Sequence, residues 1–144
     1  MSDLARRYYL RGREALARGD LELAEDRLRA ALELVPAFAP ARIAYAAALS
    51  RQGERGRAPA VLRAGIARAE TNRAEASLYA ALGDALIAAS DLESASEAYS
   101  QCEALRPALA SRAAGGRAQA LAKLGRYRES IAELTRAAKL SRPK

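Results

Sequence analysis

Side chains that could do chemistry are few in this sequence. The 144 residues include no histidine, which removes the usual general base near neutral pH and the commonest metal ligand. Acidic neighbours such as Glu25 and Asp26 are adjacent on a predicted helix and do not face each other. No glycine-rich phosphate loop follows a strand, because the sequence predicts no strand. We therefore predict that the protein has no catalytic residue, no metal site and no cofactor, and that it is not an enzyme.

The one cysteine, Cys102, is the only candidate nucleophile. Three other runs of the chain have a similar helical pattern. At the position that corresponds to Cys102 these runs contain Ala31, Gly65 and Ala137, which are small residues suited to close helix packing. A buried structural thiol is therefore the prediction. A lone cysteine cannot form an internal disulfide, which suits a reducing cytoplasm.

The tripeptide Arg18-Gly19-Asp20, taken alone, suggests an adhesion signal for cell-surface receptors. Glycine can end a helix in the left-handed conformation, and aspartate can cap the amide groups that open the next helix. Related turns recur at Gly53-Glu54, Ser90-Asp91 and Gly125-Arg126, and none of these turns is preceded by an arginine. We therefore predict that the tripeptide is a turn between two helices.

The turns divide the chain into repeats. They are separated by 34, 37 and 35 residues, and each lies between two amphipathic runs of about a dozen residues or more. Gly115-Gly116 interrupts one run. Two structural roles are open for this pair, close approach of a neighbour or a delayed helix start. Two functional roles are open as well, close approach of a ligand or a hinge. Asn72 with Glu75 forms a predicted capping box that starts the fifth helix early. The pattern predicts four helix pairs.

In these runs the chain resembles the tetratricopeptide repeat family over nearly its whole length. Small and large residues recur in the same order four times, most clearly in the third repeat and least clearly in the fourth. The residues that carry the resemblance are Tyr8, Gly12, Ala15, Ala24, Leu28, Ala31 and Pro36; Tyr45, Ala46, Leu49, Ala58, Leu62 and Gly65; Tyr79, Leu82, Gly83, Leu86, Ala95, Tyr99, Cys102 and Pro107; and Ala118, Leu121, Ser130, Leu134 and Ala137. The resemblance implies an all-α, right-handed α-solenoid of about four tetratricopeptide-like helix pairs, or eight antiparallel helices. It implies a single domain over residues 1–144, with repeats at about 5–38, 39–72, 76–109 and 111–144.

The resemblance also implies a non-catalytic adaptor or scaffold, which holds a peptide segment of another protein in a concave groove lined by the first helix of each pair. The lining positions carried over from the family are Arg6, Tyr9, Arg13, Ile43, Ala47, Arg51, Ala80, Asp84, Ile87, Arg112, Gln119 and Lys123. Basic ends and a small-residue middle suit an extended or helical segment with acidic residues, since arginine pairs with carboxylates in a bidentate way. The alternative is that these arginines are ordinary solvated charges.

One subclass of the family clamps C-terminal chaperone tails with lysine and asparagine residues. The matching places here hold Tyr9, Arg13, Ala44, Ser77 and Ala81, so the resemblance does not extend to that mechanism. A second hypothesis is self-assembly, in which the last helix makes end-to-end contacts through Ile131, Leu134 and Leu140. Alternatively, Lys139, Arg142 and Lys144 keep that end soluble unaided.

Charge and composition limit the other partners. The net charge is +7, with residues 76–109 at −4 and residues 110–144 at +7, and such a pattern can attract acidic partners. Nucleic acid is disfavoured because the arginines are spread over both helix sets without an aromatic stacking platform. No apolar stretch is long enough to span a membrane, and the first seven residues lack the apolar segment typical of a signal peptide. The sequence therefore predicts a cytoplasmic protein, and its alanine and arginine excess is typical of GC-rich bacterial genomes.

Overall fold

The protein consists of α-helices in a computed structural model that describes residues 2–141. The helices are α1 (Asp3–Arg18), α2 (Leu21–Leu34), α3 (Ala39–Arg51), α4 (Arg57–Arg68), α5 (Asn72–Ala88), α6 (Leu92–Leu105), α7 (Ala110–Lys123) and α8 (Tyr127–Leu140), with one 3₁₀ turn at Pro107–Leu109. Residues 2–141 contain no strand. The predicted all-α helical repeat is confirmed. Arg142 and Lys144, named above for the solubility of the last helix, lie outside the described residues.

The four turns end helices in the way that their residues predict. Gly19, Gly53 and Gly125 have φ angles of 80°, 88° and 81°, in the left-handed region that glycine adopts without a Cβ penalty. Ser90 takes the same region at 62°. The Asp20 carboxylate accepts a hydrogen bond from the backbone N–H of Leu23 at 3.4 Å. The prediction that Arg18-Gly19-Asp20 is a helix-ending turn is thus confirmed.

The start of α5 differs by one residue from the prediction. Thr71 is the N-cap, and its hydroxyl accepts a hydrogen bond from the backbone N–H of Ala74 at 3.1 Å. Asn72 is already the first helical residue, so the predicted capping box with Glu75 is wrong. Threonine can take this role because its hydroxyl oxygen accepts the hydrogen bond of a free helix amide.

The chain forms two compact units, residues 1–70 with α1 to α4 and residues 71–144 with α5 to α8. Within each unit every helix packs against the next, α1 against α3, and α5 against α7. The core is built mainly from alanine and leucine. The positive-φ residues Gly19, Gly53, Ser90 and Gly125 are called turn residues. Nine residues after the first three lie Leu28 of α2, Leu62 of α4 and Tyr99 of α6, and all three side chains are fully buried.

Glycines make room for two of these large side chains. A Cβ atom added to Gly12 would lie 2.5 Å from Leu28 Cγ. The Tyr99 ring lies in a slot between α5 and α7, where a Cβ on Gly83 or Gly116 would approach ring atoms to 2.6 Å or 2.4 Å. Of the alternatives for Gly115-Gly116, close approach of a neighbour therefore explains Gly116. A Cβ on Gly115 would meet nothing within 4 Å.

Cys102 is fully buried on α6, and burial raises the pKa of its thiol. This confirms the predicted buried position, since a buried thiol with a raised pKa is largely protonated at neutral pH. No α-helix in residues 2–141 combines the length and the hydropathy needed to cross a membrane.

Candidate partner-binding surfaces

The twelve predicted groove residues all lie on the first helix of a pair, and they fall into two sets. We call the set on α1 and α3 the α1–α3 surface, which contains Arg6, Tyr9, Arg13, Ile43, Ala47 and Arg51. The set on α5 and α7 is the α5–α7 surface, which contains Ala80, Asp84, Ile87, Arg112, Gln119 and Lys123. Each set belongs to one compact unit.

An aromatic pair orders the α1–α3 surface. The ring centroids of Tyr9 and Phe38 are 5.0 Å apart and the rings are tilted by 53°. The guanidinium carbon of Arg13 lies 5.6 Å from the Tyr9 ring centroid, within the range of a cation–π interaction. The guanidinium is exposed, so its hydrogen-bond donors can reach a partner while the ring limits its motion.

The three arginines of this surface have different surroundings. Arg51 donates a hydrogen bond from Nη1 to the carbonyl oxygen of Leu16 at 3.0 Å, which joins α3 to the last turn of α1. Arg6 and Arg13 are exposed, and no carboxylate of residues 2–141 forms an ion pair with either. Arg51 therefore has a structural contact, whereas Arg6 and Arg13 present cations to solvent. Ile43 and Ala47 are half-buried beside them.

On the α5–α7 surface, the predicted residues Asp84 and Arg112 bind each other. Arg112 Nη2 lies 2.7 Å from Asp84 Oδ2, which links α5 to α7. The hydroxyl of Tyr99 donates to Asp84 Oδ1 at 2.5 Å. Burial raises the pKa of Tyr99 well above its usual range, and the bond to Asp84 adds to this, so the phenol remains a donor. Both oxygens of Asp84 are therefore engaged by the protein itself.

The structure removes one residue from the predicted lining. The Ala80 side chain is 7% exposed and packs with Ala76 and Cys102 in a buried cluster, because α5 turns this residue towards α6. Ala80 therefore offers no accessible surface for a partner. Ile87 is half-buried, while Gln119 and Lys123 are exposed on α7.

The last helix exposes an apolar face that the prediction covered only partly. Tyr127, Ile131 and Leu134 are 65%, 62% and 54% exposed and recur at i, i+4 and i+7, so they share one side of α8. We call these three residues the α8 stripe. Leu140 is exposed too, but it lies six residues beyond Leu134 and about 120° away around the helix. Leu140 is therefore not part of the surface formed by Ile131 and Leu134.

Three contributing residues were missed by sequence reasoning. Phe38 ends the loop before α3, and no periodic pattern connects it to Tyr9. Tyr99 was recognised as a packing residue, but nothing in the sequence indicates that its hydroxyl binds Asp84. Tyr127 could have been found, because the i, i+4, i+7 spacing with Ile131 and Leu134 is visible in the sequence. No group of three or more His, Cys, Asp or Glu side chains that could hold a metal ion lies among residues 2–141.

Comparison with known proteins identifies the repeats. The family model described as tetratricopeptide repeat matches residues 76–109 and 111–143, so it matches the fourth repeat despite its degenerate sequence. No curated protein sequence matches the chain.

Solved structures share the fold at low sequence identity. PilF of Pseudomonas aeruginosa aligns with a TM-score of 0.81 and 23% identity over 99% of this chain, which spans 63% of the PilF chain and thus less than two thirds of it. MamA from Desulfovibrio magneticus RS-1 gives 0.74 and 23% over 94% of this chain and 75% of MamA. The first repeat domain of Spaghetti (RPAP3), bound to the HSP90 peptide SRMEEVD, gives 0.65 and 19% over 96% of this chain and 94% of that one. The chain therefore contains two tetratricopeptide repeats, at residues 76–109 and 111–143, within a helical repeat fold that it shares with these structures.

Proposed function

We propose that this protein is a non-catalytic cytoplasmic adaptor that binds an acidic segment of another protein on the α1–α3 surface. Tetratricopeptide repeats are generally protein-interaction modules rather than enzymes, and the repeat domain of RPAP3 binds a peptide with two adjacent glutamates. The lysine and asparagine clamp of the chaperone-binding subclass has no counterpart at Tyr9, Arg13, Ala44, Ser77 and Ala81, so the proposed partner is not a chaperone tail.

The observation that carries this proposal is the ordered Arg13 guanidinium. It lies over the Tyr9 ring, it is exposed, and no carboxylate of residues 2–141 pairs with it. An arginine held in this way loses little conformational entropy when it binds a carboxylate. The α5–α7 surface differs, because Asp84 already occupies Arg112.

The spacing of the two arginines defines the segment that would fit. Arg6 and Arg13 are two helical turns apart, or about 10 Å along the α1 axis. In an extended peptide of the polyproline II type, side chains three residues apart lie on the same side of the chain, about 9 Å from each other. A segment of the form Glu-x-x-Glu can therefore place one carboxylate on each guanidinium.

The test uses a fluorescein-labelled extended peptide with two glutamates three residues apart, and a second peptide with glutamines in their place. We expect the Glu peptide to bind with a Kd in the micromolar range, and Arg13→Glu to raise that Kd at least tenfold, about 1.4 kcal/mol. Fluorescence anisotropy at fixed ionic strength measures both. Arg51 is a poorer choice for reversal, because its bond to Leu16 would be lost as well.

Arg63→Glu is the matched control. It makes the same change in net charge on the exposed side of α4, away from the first helices of the repeats, and should alter the Kd less than threefold. Equal weakening by Arg13→Glu and Arg63→Glu would mean that net charge alone attracts the peptide. Equal affinity for the Glu and Gln peptides would also contradict the proposal.

Self-assembly is the second candidate function, and the exposure of Ile131 and Leu134 favours it. Light scattering over a range of protein concentrations tests this alternative. A molar mass that rises with concentration, and that returns to the monomer value in Leu134→Glu, would support self-assembly. A monomer mass at millimolar concentration would contradict it. The basic residues beside the α8 stripe, Arg128 and Lys139, favour a different occupant.

A further inference from the structure

The α8 stripe occupies a position that is covered in the preceding repeat. Tyr99 and Leu134 both lie nine residues after the turn residue of their repeat. Tyr99 is fully buried, and part of its slot is Gly116 of the following helix, α7. Leu134, at the same position of α8, is more than half exposed. The stripe thus presents to solvent a position whose side chain is buried on α2, α4 and α6.

The helices that cover the earlier repeats show which side chains fit such a surface. On α7, the face towards α6 contains Ala113 and Ala120, both fully buried, with Arg117 between them reaching Glu103 of α6. On α3, Ala41 and Ala48 hold the same positions relative to their turn and are also fully buried. Alanines seven residues apart lie on one face two turns apart and allow close approach of the two helix axes.

The exposed side of the α8 stripe is positively charged. Arg128 and Lys139 lie eleven residues apart, about three turns, and so follow the same side of α8 next to the stripe. The acidic residues of α8 are Glu129, which pairs with Arg126, and Glu133, which pairs with Arg117. A partner that carries acidic side chains beside its apolar seam would complement this charge.

A second copy of the chain fits the stripe poorly. The positions that Ala41, Tyr45 and Ala48 hold on α3, counted back from the turn, are held on α1 by Arg7, Arg11 and Glu14. Packing α1 of another copy on α8 would therefore bury charges against apolar side chains. Packing two stripes against each other as an antiparallel pair would bring Arg128 and Lys139 of both copies to the same side, where like charges repel.

We propose that the α8 stripe docks one amphipathic helix of a different protein, with small residues seven positions apart on its apolar seam and acidic residues on the side facing Arg128 and Lys139. Helix-in-groove recognition of this kind uses i, i+3, i+4 and i+7 contacts. The site lies on α8 and does not include the α1–α3 surface. The two can therefore be tested independently.

The test uses two synthetic helical peptides that share one seam of leucines with two alanines seven residues apart. One peptide has glutamates along the flank of the seam and the other has lysines. We expect the glutamate peptide to bind the full chain with a Kd of tens of micromolar, and the lysine peptide to bind at least tenfold more weakly. Leu134→Glu should raise the Kd of the glutamate peptide at least tenfold, as measured by fluorescence anisotropy.

Leu10→Glu is the matched control, because Leu10 is a comparably exposed leucine on α1, and it should change the Kd less than twofold. Arg13→Glu should also leave this Kd unchanged, which separates failure here from failure of the proposed function. Far-UV circular dichroism checks that each variant is folded. Absence of binding at 500 μM peptide, equal binding of both peptides, or unchanged binding by Leu134→Glu would overturn the proposal. So would a dimer that Leu134→Glu dissociates, since the occupant would then be a second copy.

Discussion

At the residue scale, the Tyr99 side chain is constrained at both its ring and its hydroxyl. Its ring fills the space that Gly83 and Gly116 leave open, and its hydroxyl is anchored on Asp84, which also binds Arg112. A single side chain of α6 is therefore in contact with both α5 and α7. Any atom added to the slot must displace a buried ring, which packing at crystal-like density does not readily allow.

We predict that Gly116→Ala lowers the free energy of unfolding by about 1–3 kcal/mol, because the new Cβ overpacks the Tyr99 slot. Gly115→Ala should act in the opposite direction, by about 0.5–1 kcal/mol, since alanine is the better helix former and its Cβ meets nothing within 4 Å. Urea unfolding of the two neighbouring variants measures both effects. Destabilisation of similar size by both would show that the ring is not what limits this position.

At the element scale, α8 is held to its neighbours by an arginine network. The Arg117 side chain is 11% exposed, and its Nη2 lies 2.8 Å from Glu103 Oε1 of α6 and 3.0 Å from Glu133 Oε2 of α8. Arg136 of α8 also pairs with Glu103. The hydroxyl of Ser130, buried in the same helix, donates to the carbonyl oxygen of Ala118 at 2.7 Å. Polar contacts thus hold a helix whose apolar face remains largely exposed.

Removing Arg117 should loosen this arrangement. We predict that Arg117→Ala costs about 2 kcal/mol, because two poorly exposed carboxylates lose a cation that they share. Arg126→Ala, which breaks an exposed pair with Glu129, is the comparison and should leave the urea midpoint unchanged. Hydrogen exchange should locate the loss in α8. A uniform loss of protection over α5 to α8 would contradict this assignment.

The helices and their ends could be predicted from the sequence because they depend on local chemistry. Gly19, Gly53 and Gly125 end helices because glycine adopts a positive φ without a Cβ penalty, and Asp20 caps the helix that it precedes. The site could be predicted only as a set of positions, because side-chain pairing is not local. Nothing within twenty residues of Asp84 indicates that Arg112 will neutralise it, and Arg51 reaches a carbonyl 35 positions earlier.

At the scale of the whole molecule, the net charge of +7 will attract any polyanion at low salt. Specific binding of nucleic acid would need stacking platforms or base contacts as well, and the aromatic side chains in the two compact units are used differently. Tyr9 packs on Phe38, Tyr45 and Tyr99 are buried, and Tyr127 alone among the aromatic side chains of residues 2–141 is largely exposed, so no run of stacking rings is present there. Attraction without recognition is therefore the expected behaviour.

We predict that a fluorescein-labelled 20-nucleotide single strand binds weakly at 50 mM salt and loses at least a hundredfold in affinity by 200 mM, since counterion release dominates such binding. The Glu-x-x-Glu peptide, with only two carboxylates, should lose less than tenfold over the same range. Salt titrations followed by anisotropy compare the two. Submicromolar binding of the oligonucleotide at 200 mM salt would restore nucleic acid as a partner.

The position nine residues after each turn has a consequence for how such a chain can change in length. In α6 the side chain at that position lies against a glycine of α7, so the α5–α6 pair is completed by the helix that follows it. A gene rearrangement that removed α7 and α8 would respect the repeat boundary and still leave part of the Tyr99 ring without its cover. Selection would then have to act on residue 99 as well as on the new chain end.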